Sequence, residues 1–460
     1  MSASLALTEP ISTLRKYFIS PNIITRYYHI KCGFASYQRF LSAAAALDNM
    51  CILSLGCKGS ARGEVELDFR FSDDEEAFRR EVQDFLKREL PQSRERAVLH
   101  GGETDEEWEF TKQFTRKLGE KGWIAIWWPR EYGGLEGSDM EYLIFNEETA
   151  YRRAPRMDGG GTGIVGPTIL AHGTEEQKKR FLPPIARGEV MWIQCFSEPD
   201  FGSDSAGIKT TAVEDGGSYI INGQKTWISF GHRGDLCYMT TRTDPEAPKH
   251  RGLSFFLVDM KSPGIEVRPI TNMIGADEFC EVYFDNVRVP RENMLGEKNQ
   301  GWMIMMTTLS FERGTLASIA GSMRRTVDDL VAFAKEARYQ GQPLAGDPAV
   351  RQKLADLVIE VQVARLFVYR VVWMQGQGLI PTYQASMAKL YGDELNLQIT
   401  RLGTEIMDLY GQLAWKSKWA PLNGEIAGAY LNNLGCLFAG GTPEIQRTII
   451  ATIGLGLPRR

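Results

Sequence analysis

Apolar residues recur every three or four positions between about residue 72 and residue 186. Phe78, Val82 and Phe85 are one example, and this spacing places all three on one face of an α-helix. Helices are predicted over residues 72–86, 106–121, 140–151 and 174–185. The last of them begins with Thr174 and Gln177, a capping pair that satisfies free N–H groups of a first helical turn. This part of the chain is therefore predicted to be helical.

The pattern changes at about Met191, where short apolar runs alternate or cluster between glycine, proline and asparagine turns. The clearest runs cover residues 218–221, 253–258, 265–268 and 280–284. Such runs are typical of an antiparallel β domain. After Gly301 the helical spacing returns, and the longest predicted helices cover residues 328–336, 350–376 and 385–410. The predicted order is thus helical, β, helical.

Length and composition narrow the class of protein. A chain of 460 residues, 43% apolar and 24% charged, is a globular protein that needs more than one hydrophobic core. Its net charge of -5 argues against nucleic acid as the main partner, and no run of about 18 apolar residues predicts a membrane span. The seven cysteines are scattered without a Cys-x-x-Cys, which suits a reducing compartment, and five dispersed histidines predict no metal site.

The first 65 or so residues differ from the rest. Up to Leu47 they contain five lysines or arginines and a single acidic residue, Glu9. One interpretation is a removable transit segment, which would place the protein in the mitochondrial matrix. The alternative is an extension without a function of its own, which leaves a cytoplasmic protein. Globular sequence is expected from Phe69 onward.

Gly161, Gly163 and Gly166 fit the spacing Gly-x-Gly-x-x-Gly. A dinucleotide-binding fold would require a hydrophobic strand before these glycines and a helix opening within them. Polar and basic residues precede them instead, and Pro167 follows at once. A flexible connection between helices is therefore predicted here.

Two unusual turns lie at residues 197–204 and 227–229. The first carries the small or hydroxyl-bearing residues Ser197, Gly202 and Ser203, whose backbone can approach a ring or a pyrophosphate closely. The second ends a predicted strand with Trp227 and Ser229, a flat indole and a hydroxyl suited to the face and edge of an isoalloxazine. Ordinary turn chemistry explains either turn alone, and the pair favours a flavin site.

Five motifs in this order resemble those of the acyl-CoA dehydrogenase family, over residues 69–459. They are residues 127–134 (Trp-Trp-Pro-Arg-Glu-Tyr-Gly-Gly), 172–178 (His-Gly-Thr-Glu-Glu-Gln-Lys), the two turns within 192–230, 285–290 (Asp-Asn-Val-Arg-Val-Pro) and 439–447 (Ala-Gly-Gly-Thr-Pro-Glu-Ile-Gln-Arg). The resemblance implies an α+β fold with an N-terminal all-α domain, a middle antiparallel β-barrel domain and a C-terminal four-helix bundle. The expected boundaries are 1–67 for the extension, then 68–190, 191–298 and 299–460.

The resemblance also implies the activity. A family member of this kind is an oxidoreductase that removes hydrogen from the α and β carbons of an acyl-CoA on bound FAD. Electrons then pass to an electron-transfer flavoprotein, and the subunits form a homodimer or homotetramer. The residues implied at the cofactor are Gln194, Cys195, Phe196, Ser197, Gly202, Ser203, Trp227, Ile228, Ser229 and, from a neighbouring subunit, Thr442 and Glu444. Those implied at the substrate are Ser203, Arg313, Gly440 and Gly441.

Two stretches depart from the family pattern. The family commonly has Gln-x-x-Gly-Gly where this chain has Asp-Leu-Tyr-Gly-Gln at residues 408–412, and Arg-x-x-Phe-Gly where it has Arg-Tyr-Gln-Gly at 338–341. Both stretches normally serve the cofactor across a subunit interface, so the resemblance does not carry those contacts over.

The resemblance leads to Glu312 as the base that removes the α-proton. Many family members place this glutamate just before the C-terminal Gly-Thr, where this chain has Gly440, and others place it on the first helix of the last domain. Independently, Glu312 falls within a helical stripe of apolar residues, which predicts a carboxylate on a buried face without a local cation. The stripe consists of Met305, Leu309, Leu316, Ile319 and Met323. The alternative is a structural glutamate bonded to a cation on another helix.

Three rival functions remain at this point. A non-catalytic subunit of a mixed assembly would lack any base, so Glu312 argues against it. An acyl-CoA oxidase differs in letting oxygen reach the reduced flavin. A DNA-binding flavoprotein of the same fold requires a basic C-terminal face, which the net charge of -5 disfavours.

Overall fold

The computed structural model describes residues 71–91, 104–157, 160–312, 316–415 and 417–458, with the side chain of Glu312 left outside the description. Residues 73–450 form one compact unit. The described residues 71–72 and 451–458 belong to a second unit, of which a short π-helical turn ending at Gly454 is the regular part. The predictions for residues 1–67 lie outside the described residues.

The predicted helices are present, and helices flank the β region on both sides as expected. The described helices are α1 Asp73–Glu89, α2 Asp105–Glu120, α3 Asp139–Tyr151, α4 Gly166–His172, α5 Glu175–Ala186, α6 Gly301–Glu312, α7 Leu316–Glu336, α8 Pro348–Gly376, α9 Tyr383–Ile406, α10 Glu425–Cys436 and α11 Pro443–Ile449. Thr174 caps α5 in the predicted reciprocal pair with Gln177. None of the helices in the described ranges has the length and apolar content needed to cross a bilayer.

The glycine-rich stretch before α4 corrects one prediction. Gly161–Val165 is not a flexible connection but a buried π-helical turn that continues directly into α4. Pro167 lies in the first turn of α4, directly after this π-helical turn. The dinucleotide-fold interpretation fails as expected, because no strand precedes this turn in the described residues.

Between the two helical parts lies one eight-stranded sheet. Its strands are β1 Trp192–Cys195, β2 Thr211–Asp215, β3 Ser218–Ser229, β4 Leu236–Arg242, β5 Leu253–Asp259, β6 Ile265–Ile270, β7 Phe279–Pro290 and β8 Met294–Leu295. The order is β6-β7-β3-β2-β4-β5-β8, with β1 beside β4. Most pairs are antiparallel, but β1 and β2 both pair with β4 in parallel, which the predicted antiparallel pattern did not include. A short hairpin, β9 Arg338–Tyr339 and β10 Gln342–Pro343, lies apart from this sheet.

Helix α6 packs against the sheet through a glycine. A Cβ on Gly301 would lie 2.5 Å from the backbone carbon of Ser254 in β5, so only glycine lets the helix begin this close. Ile304 and Met305 then join the core that β4 and β5 share with α4 and α5. The hydroxyl of Thr168 in α4 donates to that of Thr308 at 3.2 Å. This packing fixes the direction in which α6 runs toward Glu312.

The remaining long helices, α7, α8, α9 and α10, pack together around a core that includes Leu330, Leu357 and Ile399. A cluster of buried charges joins them to the N-terminal helices. Glu147 in α3 accepts hydrogen bonds from Arg365 in α8 at 2.5 Å and from Tyr369 at 2.8 Å. The two helical parts are thereby tied to each other through α3 and α8.

Candidate functional site

The first predicted flavin turn begins where β1 ends. The side chains of Cys195 and Phe196 are buried in two different cores, so only their backbone groups are available to a cofactor. Gln194 accepts a hydrogen bond from the Tyr238 hydroxyl at 2.9 Å. Gly202 and Ser203 are exposed, and a Cβ on Gly202 would meet no atom within 4 Å. The turn therefore presents backbone and small side chains to open space.

A buried ion pair holds this turn in place. Lys225 of β3 is fully buried and lies 2.9 Å from a carboxylate oxygen of Glu198. Its ammonium also donates to the carbonyl of Phe196 at 3.1 Å and to that of Thr240 at 3.0 Å. Glu198 accepts in turn from the backbone N–H groups of Lys209 at 2.6 Å and Thr210 at 3.0 Å. Each donor of Lys225 thus has an acceptor, and both carboxylate oxygens are used.

The pKa shifts of the pair follow from this arrangement. Burial raises the pKa of Glu198, but the charge of Lys225 and the backbone donors outweigh it, so the pKa lies below its usual value. Burial lowers the pKa of Lys225, and Glu198 opposes that shift. The pair lies between the two predicted flavin turns and links the first turn to β3 and β4.

The second predicted turn is a β-bulge. The register between β3 and β7 shifts between Lys225 and Ile228, and Trp227 adopts a left-handed φ of 59°. The bulge turns the Trp227 indole outward, where 62% of the residue's surface is exposed, while Ile228 points into the core. Ser229 is exposed as well. An indole face and a hydroxyl are therefore available at this turn, whereas Ile228 offers only its backbone.

The exposed indole of Trp227 has an aromatic neighbour. Trp227 packs edge to face against Phe279 at 6.3 Å between ring centroids. At the end of α10, partial desolvation, and then the charges of Glu278 and Asp393, raise the pKa of the Cys436 thiol to about 11.

That C-terminal segment is a pair of left-handed glycines. Gly440 has a φ of 60° and Gly441 a φ of 94°, a region that side chains disfavour. The amide of Gln446, only 6% exposed, donates to both of their carbonyls, at 3.1 and 3.2 Å. Thr442 caps α11 by accepting from the N–H of Ile445 at 3.4 Å. The peptide planes of these two carbonyls also contain the N–H groups of Gly441 and Thr442, which therefore point away from Gln446.

Glu444, predicted at the adenine half of the cofactor, is exposed in the first turn of α11. Its own backbone N–H, and then Thr442, lower the pKa of its carboxyl. Thr442 and Glu444 are therefore engaged with each other at the helix start, on the surface of the chain.

Helix α6 ends at Glu312, the predicted base. Met305, Leu316 and Met323 of the predicted stripe are fully or almost fully buried. Leu309 and Ile319 are partly buried against the same cores. The side chain of Glu312 and the whole of Arg313 lie outside the described residues, so both assignments stay predictions.

A cavity of about 310 Å³ lies beside the end of α6. Ser310 and Phe311, the two residues before Glu312, line it. Trp127 and Tyr142 form an aromatic wall with Phe311, at centroid distances of 6.2 and 6.4 Å from Trp127. Its other lining residues include Asp139, Leu143, Gly163, Val372, Gln375, Leu379 and Ile380.

Four polar residues of this region were missed by sequence reasoning. Glu198 and Lys225 hold the first turn, Gln446 holds the two glycines, and Asp139 faces the cavity. A signal existed for Lys225, because it falls on the inward face of β3 with Tyr219 and Ile221 at period two. No comparable signal identifies Asp139, whose place depends on how α3 and α8 pack.

Comparison with known proteins identifies the family. Three family models match in order: acyl-CoA dehydrogenase N-terminal domain over residues 72–189, middle domain over 194–287 and C-terminal domain over 299–455. Together they span most of the chain. The chain belongs to the acyl-CoA dehydrogenase family, whose members are flavoproteins, and it is an oxidoreductase.

Several relatives share most of its length. Acyl-CoA dehydrogenase FadE26 of Mycobacterium tuberculosis is 38% identical over 75% of this chain and 87% of its own. The solved structure called the Tcur3481-Tcur3483 steroid ACAD aligns with a TM-score of 0.79 and 32% identity over 86% of this chain and 100% of its own. The ChsE4-ChsE5 complex from Mycobacterium tuberculosis aligns with a TM-score of 0.78 and 33% identity over the same shares.

These findings confirm the predicted family and the helical, β, helical fold. The domain boundaries, the site residues and the catalytic role of Glu312 stay predictions.

Proposed function

We propose that this protein catalyses the FAD-dependent α,β-dehydrogenation of an acyl-CoA thioester to the 2-enoyl-CoA. Glu312 removes the α-proton, and electrons leave to an electron-transfer flavoprotein. The bound flavin supplies the hydride acceptor for the β-carbon. The α-proton of a thioester is weakly acidic, so a carboxylate must stand beside it.

The observation that carries this proposal is the position of Glu312. It ends α6 directly after Ser310 and Phe311, which line the cavity. The sheet core fixes the course of α6 through Gly301, Ile304 and Met305. The rival position for a base is Gly440, whose left-handed backbone suits a glycine and carries no side chain. The chain therefore supports one base position of the two that the family uses.

The residues of the two turns fit a flavin. Gly202 and Ser203 leave room for close approach of a large planar or phosphorylated group, and the exposed indole of Trp227 offers an apolar face. Lys225 and Glu198 keep the turns at a constant separation. Gln194 is held by Tyr238, and Ser197 and Ser229 are the hydroxyl donors at either turn.

The backbone at Gly440 and Gly441 serves the thioester carbonyl in this proposal. Gln446 engages the carbonyl oxygens of both glycines, so these two peptide planes are held, and with them the N–H groups of Gly441 and Thr442 as hydrogen-bond donors. A glycine at 440 also leaves space above the thioester for a carboxylate that approaches from α6. Arg313 would contact the adenine end of CoA.

The proposed assembly is a homo-oligomer in which Thr442 and Glu444 reach the adenine half of the cofactor of a neighbouring subunit. Glu444 is exposed and Thr442 is partly exposed, as this requires. Leu409 and Tyr410, in the segment that departs from the family pattern, are also exposed. A mixed assembly is the second candidate, favoured by the similarity to a ChsE4-ChsE5 complex.

The acyl group is proposed to be bulky. The cavity of about 310 Å³ has the size of pockets that hold drug-sized ligands. A relative of known structure is described as a steroid ACAD.

The experiment is to purify the protein, record its flavin spectrum and add a panel of acyl-CoAs without oxygen. Bleaching by a bulky acyl-CoA, with turnover by an artificial acceptor or an electron-transfer flavoprotein, supports the proposal. Rapid turnover with oxygen alone indicates an oxidase instead. A protein that holds no flavin until a second subunit is added indicates the mixed assembly, and a flavin that no thioester bleaches contradicts the proposed activity.

A further inference from the structure

The cavity beside α6 has walls of two kinds. Trp127, Tyr142 and Phe311 form an aromatic side, and their rings are tilted or edge to face rather than stacked. The hydroxyl of Tyr142 lies over Gly163, where a Cβ would come within 3.2 Å of it. Leu143 and Val372 add aliphatic surface. Rigid, flat apolar surfaces of this kind suit a ring system better than a flexible chain.

One carboxylate faces this apolar cavity. Asp139, the first residue of α3, lines it together with Gln375 at the end of α8. Its Oδ2 lies so close to α8 that a Cβ on Gly376 would come within 3.2 Å of it. Within the described residues, neither a hydrogen bond nor an ion pair engages the Asp139 carboxylate, and its burial raises its pKa.

Asp105 is an aspartate at the equivalent position of another helix, and its surroundings differ from those of Asp139. It is the first residue of α2, after a capping threonine, just as Asp139 follows the capping Ser138 of α3. Asp105 is exposed and pairs with Arg233 at 2.7 Å. A first-turn aspartate ordinarily faces water and favours the positive end of the helix. Asp139 occupies the same helix position but faces the cavity.

A half-buried carboxylate in an apolar wall is costly unless a donor reaches it. Its oxygens accept hydrogen bonds and donate none when ionised, so the missing partner is a donor. Ser310 and Phe311, the two residues before Glu312, line the cavity, so an acyl group bound there would lie beside the end of the helix that carries the proposed base.

We infer that this cavity binds a ring-bearing acyl group with a hydroxyl that donates a hydrogen bond to Asp139. The inference rests on the proposed dehydrogenation and names its substrate class. Asp139 is then a specificity residue: it recognises the far part of the acyl group and takes no part in the chemistry at the α and β carbons.

The test uses the whole flavoprotein and pairs of acyl-CoAs with the same cyclic skeleton. One member of each pair has a ring hydroxyl, placed at successive positions along a set of bicyclic skeletons, and the other has none. The variants are Asp139→Leu and Asp139→Asn, with Asp105→Asn as the matched control at the same helix position. Flavin bleaching and kcat/KM with an artificial acceptor are measured for each pair.

We expect the unmodified protein to prefer one hydroxylated position by about tenfold or more in kcat/KM, mainly through KM. Asp139→Leu should abolish that preference and raise kcat/KM for the unhydroxylated partner, a gain that a damaged fold does not produce. Asp105→Asn should change neither value.

Two outcomes overturn the inference: no pair shows a preference, or the preference survives in Asp139→Leu. In both cases the thioesters still bleach the flavin, so the dehydrogenation itself stands. Failure of every thioester to bleach it contradicts the proposed function instead, and with it the inference.

Discussion

Glu198 in the first flavin turn and Asp139 in the cavity wall are both carboxylates withdrawn from water, and they differ in what surrounds them. Glu198 meets the ammonium of Lys225 and two backbone N–H groups. Asp139 meets apolar side chains and a glycine, with no partner among the described residues. The difference appears in their acidity: the pKa of Glu198 is below its usual value, and burial raises that of Asp139.

The partners of a carboxylate thus distinguish one that supports the fold from one that can recognise a ligand. A buried charge whose partners all belong to the chain holds the chain in one geometry, and here that geometry is the pair of turns proposed for the flavin. A carboxylate whose partner the chain does not supply is available to a ligand. In the proposed function, the β region thus supplies a fixed site for the cofactor, and the cavity wall in the helical region contacts the substrate.

The largest effect on stability is expected from Lys225→Met. This change leaves Glu198 buried without its cation, and the free energy of unfolding should fall by about 3–5 kcal/mol. Flavin content should fall with it, because the first turn loses its link to β3. Urea unfolding and the flavin-to-protein absorbance ratio measure the two effects.

Lys209→Met is the matched control, since Lys209 is an exposed lysine in the same turn region. It should change stability by less than about 0.5 kcal/mol. The double variant Glu198→Leu with Lys225→Met should be more stable than Lys225→Met alone. Equal losses for Lys225→Met and Lys209→Met would show that the buried pair does not support the turns.

A smaller effect is expected from Gln446→Leu, which removes a neutral donor rather than a charge. Two hydrogen bonds to the carbonyls of Gly440 and Gly441 are lost, and the free energy of unfolding should fall by about 1–3 kcal/mol. Bleaching by substrate should also slow, because the backbone of Gly440 and Gly441 is no longer held in place. An unchanged rate of bleaching would show that Gln446 does not affect the group that binds the thioester carbonyl.

The two carboxylates should give opposite pH dependences. Burial raises the pKa of Glu198, but Lys225 and the backbone donors lower it below 4.5; its stabilising effect is therefore present above the unfolded pKa and lost as the pH falls through the folded one. The pKa of Asp139 is raised above 3.8, so its contribution is lost as the pH rises through the folded value. The free energy of unfolding should be measured from about pH 3 to pH 7. The loss of stability at falling pH should be absent in Glu198→Gln, and the loss at rising pH should be absent in Asp139→Asn.

The smallest expected effect is a gain in stability. At neutral pH, Asp139→Asn removes a charge that has no partner among the described residues. It also removes a favourable interaction of that charge with the start of α3. The free energy of unfolding should rise by less than about 1 kcal/mol. Asp105→Asn loses an exposed pair with Arg233 and the same kind of favourable interaction with a helix start, so it should not produce a rise. A loss of stability in Asp139→Asn would mean that the chain supplies a partner for this carboxylate.

Much of the fold follows from local patterns. The capping pair at Thr174 and the alternation in β3 report the immediate surroundings of each residue, and the structure agrees with both. The π-helical turn Gly161–Val165 was missed because glycines usually interrupt helices, whereas here close contacts require them: Gly160 and Gly166 on either side of the turn pack against Trp192 and Trp128. Its conformation depends on tertiary packing rather than on local preference.

The site could be predicted only where one segment contains it. Trp227 and Ser229 follow from a short motif, although the bulge that exposes Trp227 and buries Ile228 breaks the alternation of β3. Glu198 and Lys225 meet across 27 positions, and the cavity joins residues of α3, α6 and α8. Contacts between residues so far apart in the sequence produce no periodic pattern from which they could be predicted.

The most direct test of Glu312 as the base is anaerobic flavin reduction by an acyl-CoA in Glu312→Gln. A glutamine of the same size cannot accept the α-proton, so bleaching should slow by about 10²–10⁴-fold while the flavin stays bound. Glu297→Gln, an exposed glutamate just before α6, is the control and should bleach at the normal rate. Bleaching in Glu312→Gln at the rate of the unmodified protein would contradict the assignment of Glu312, because another base would then accept the α-proton.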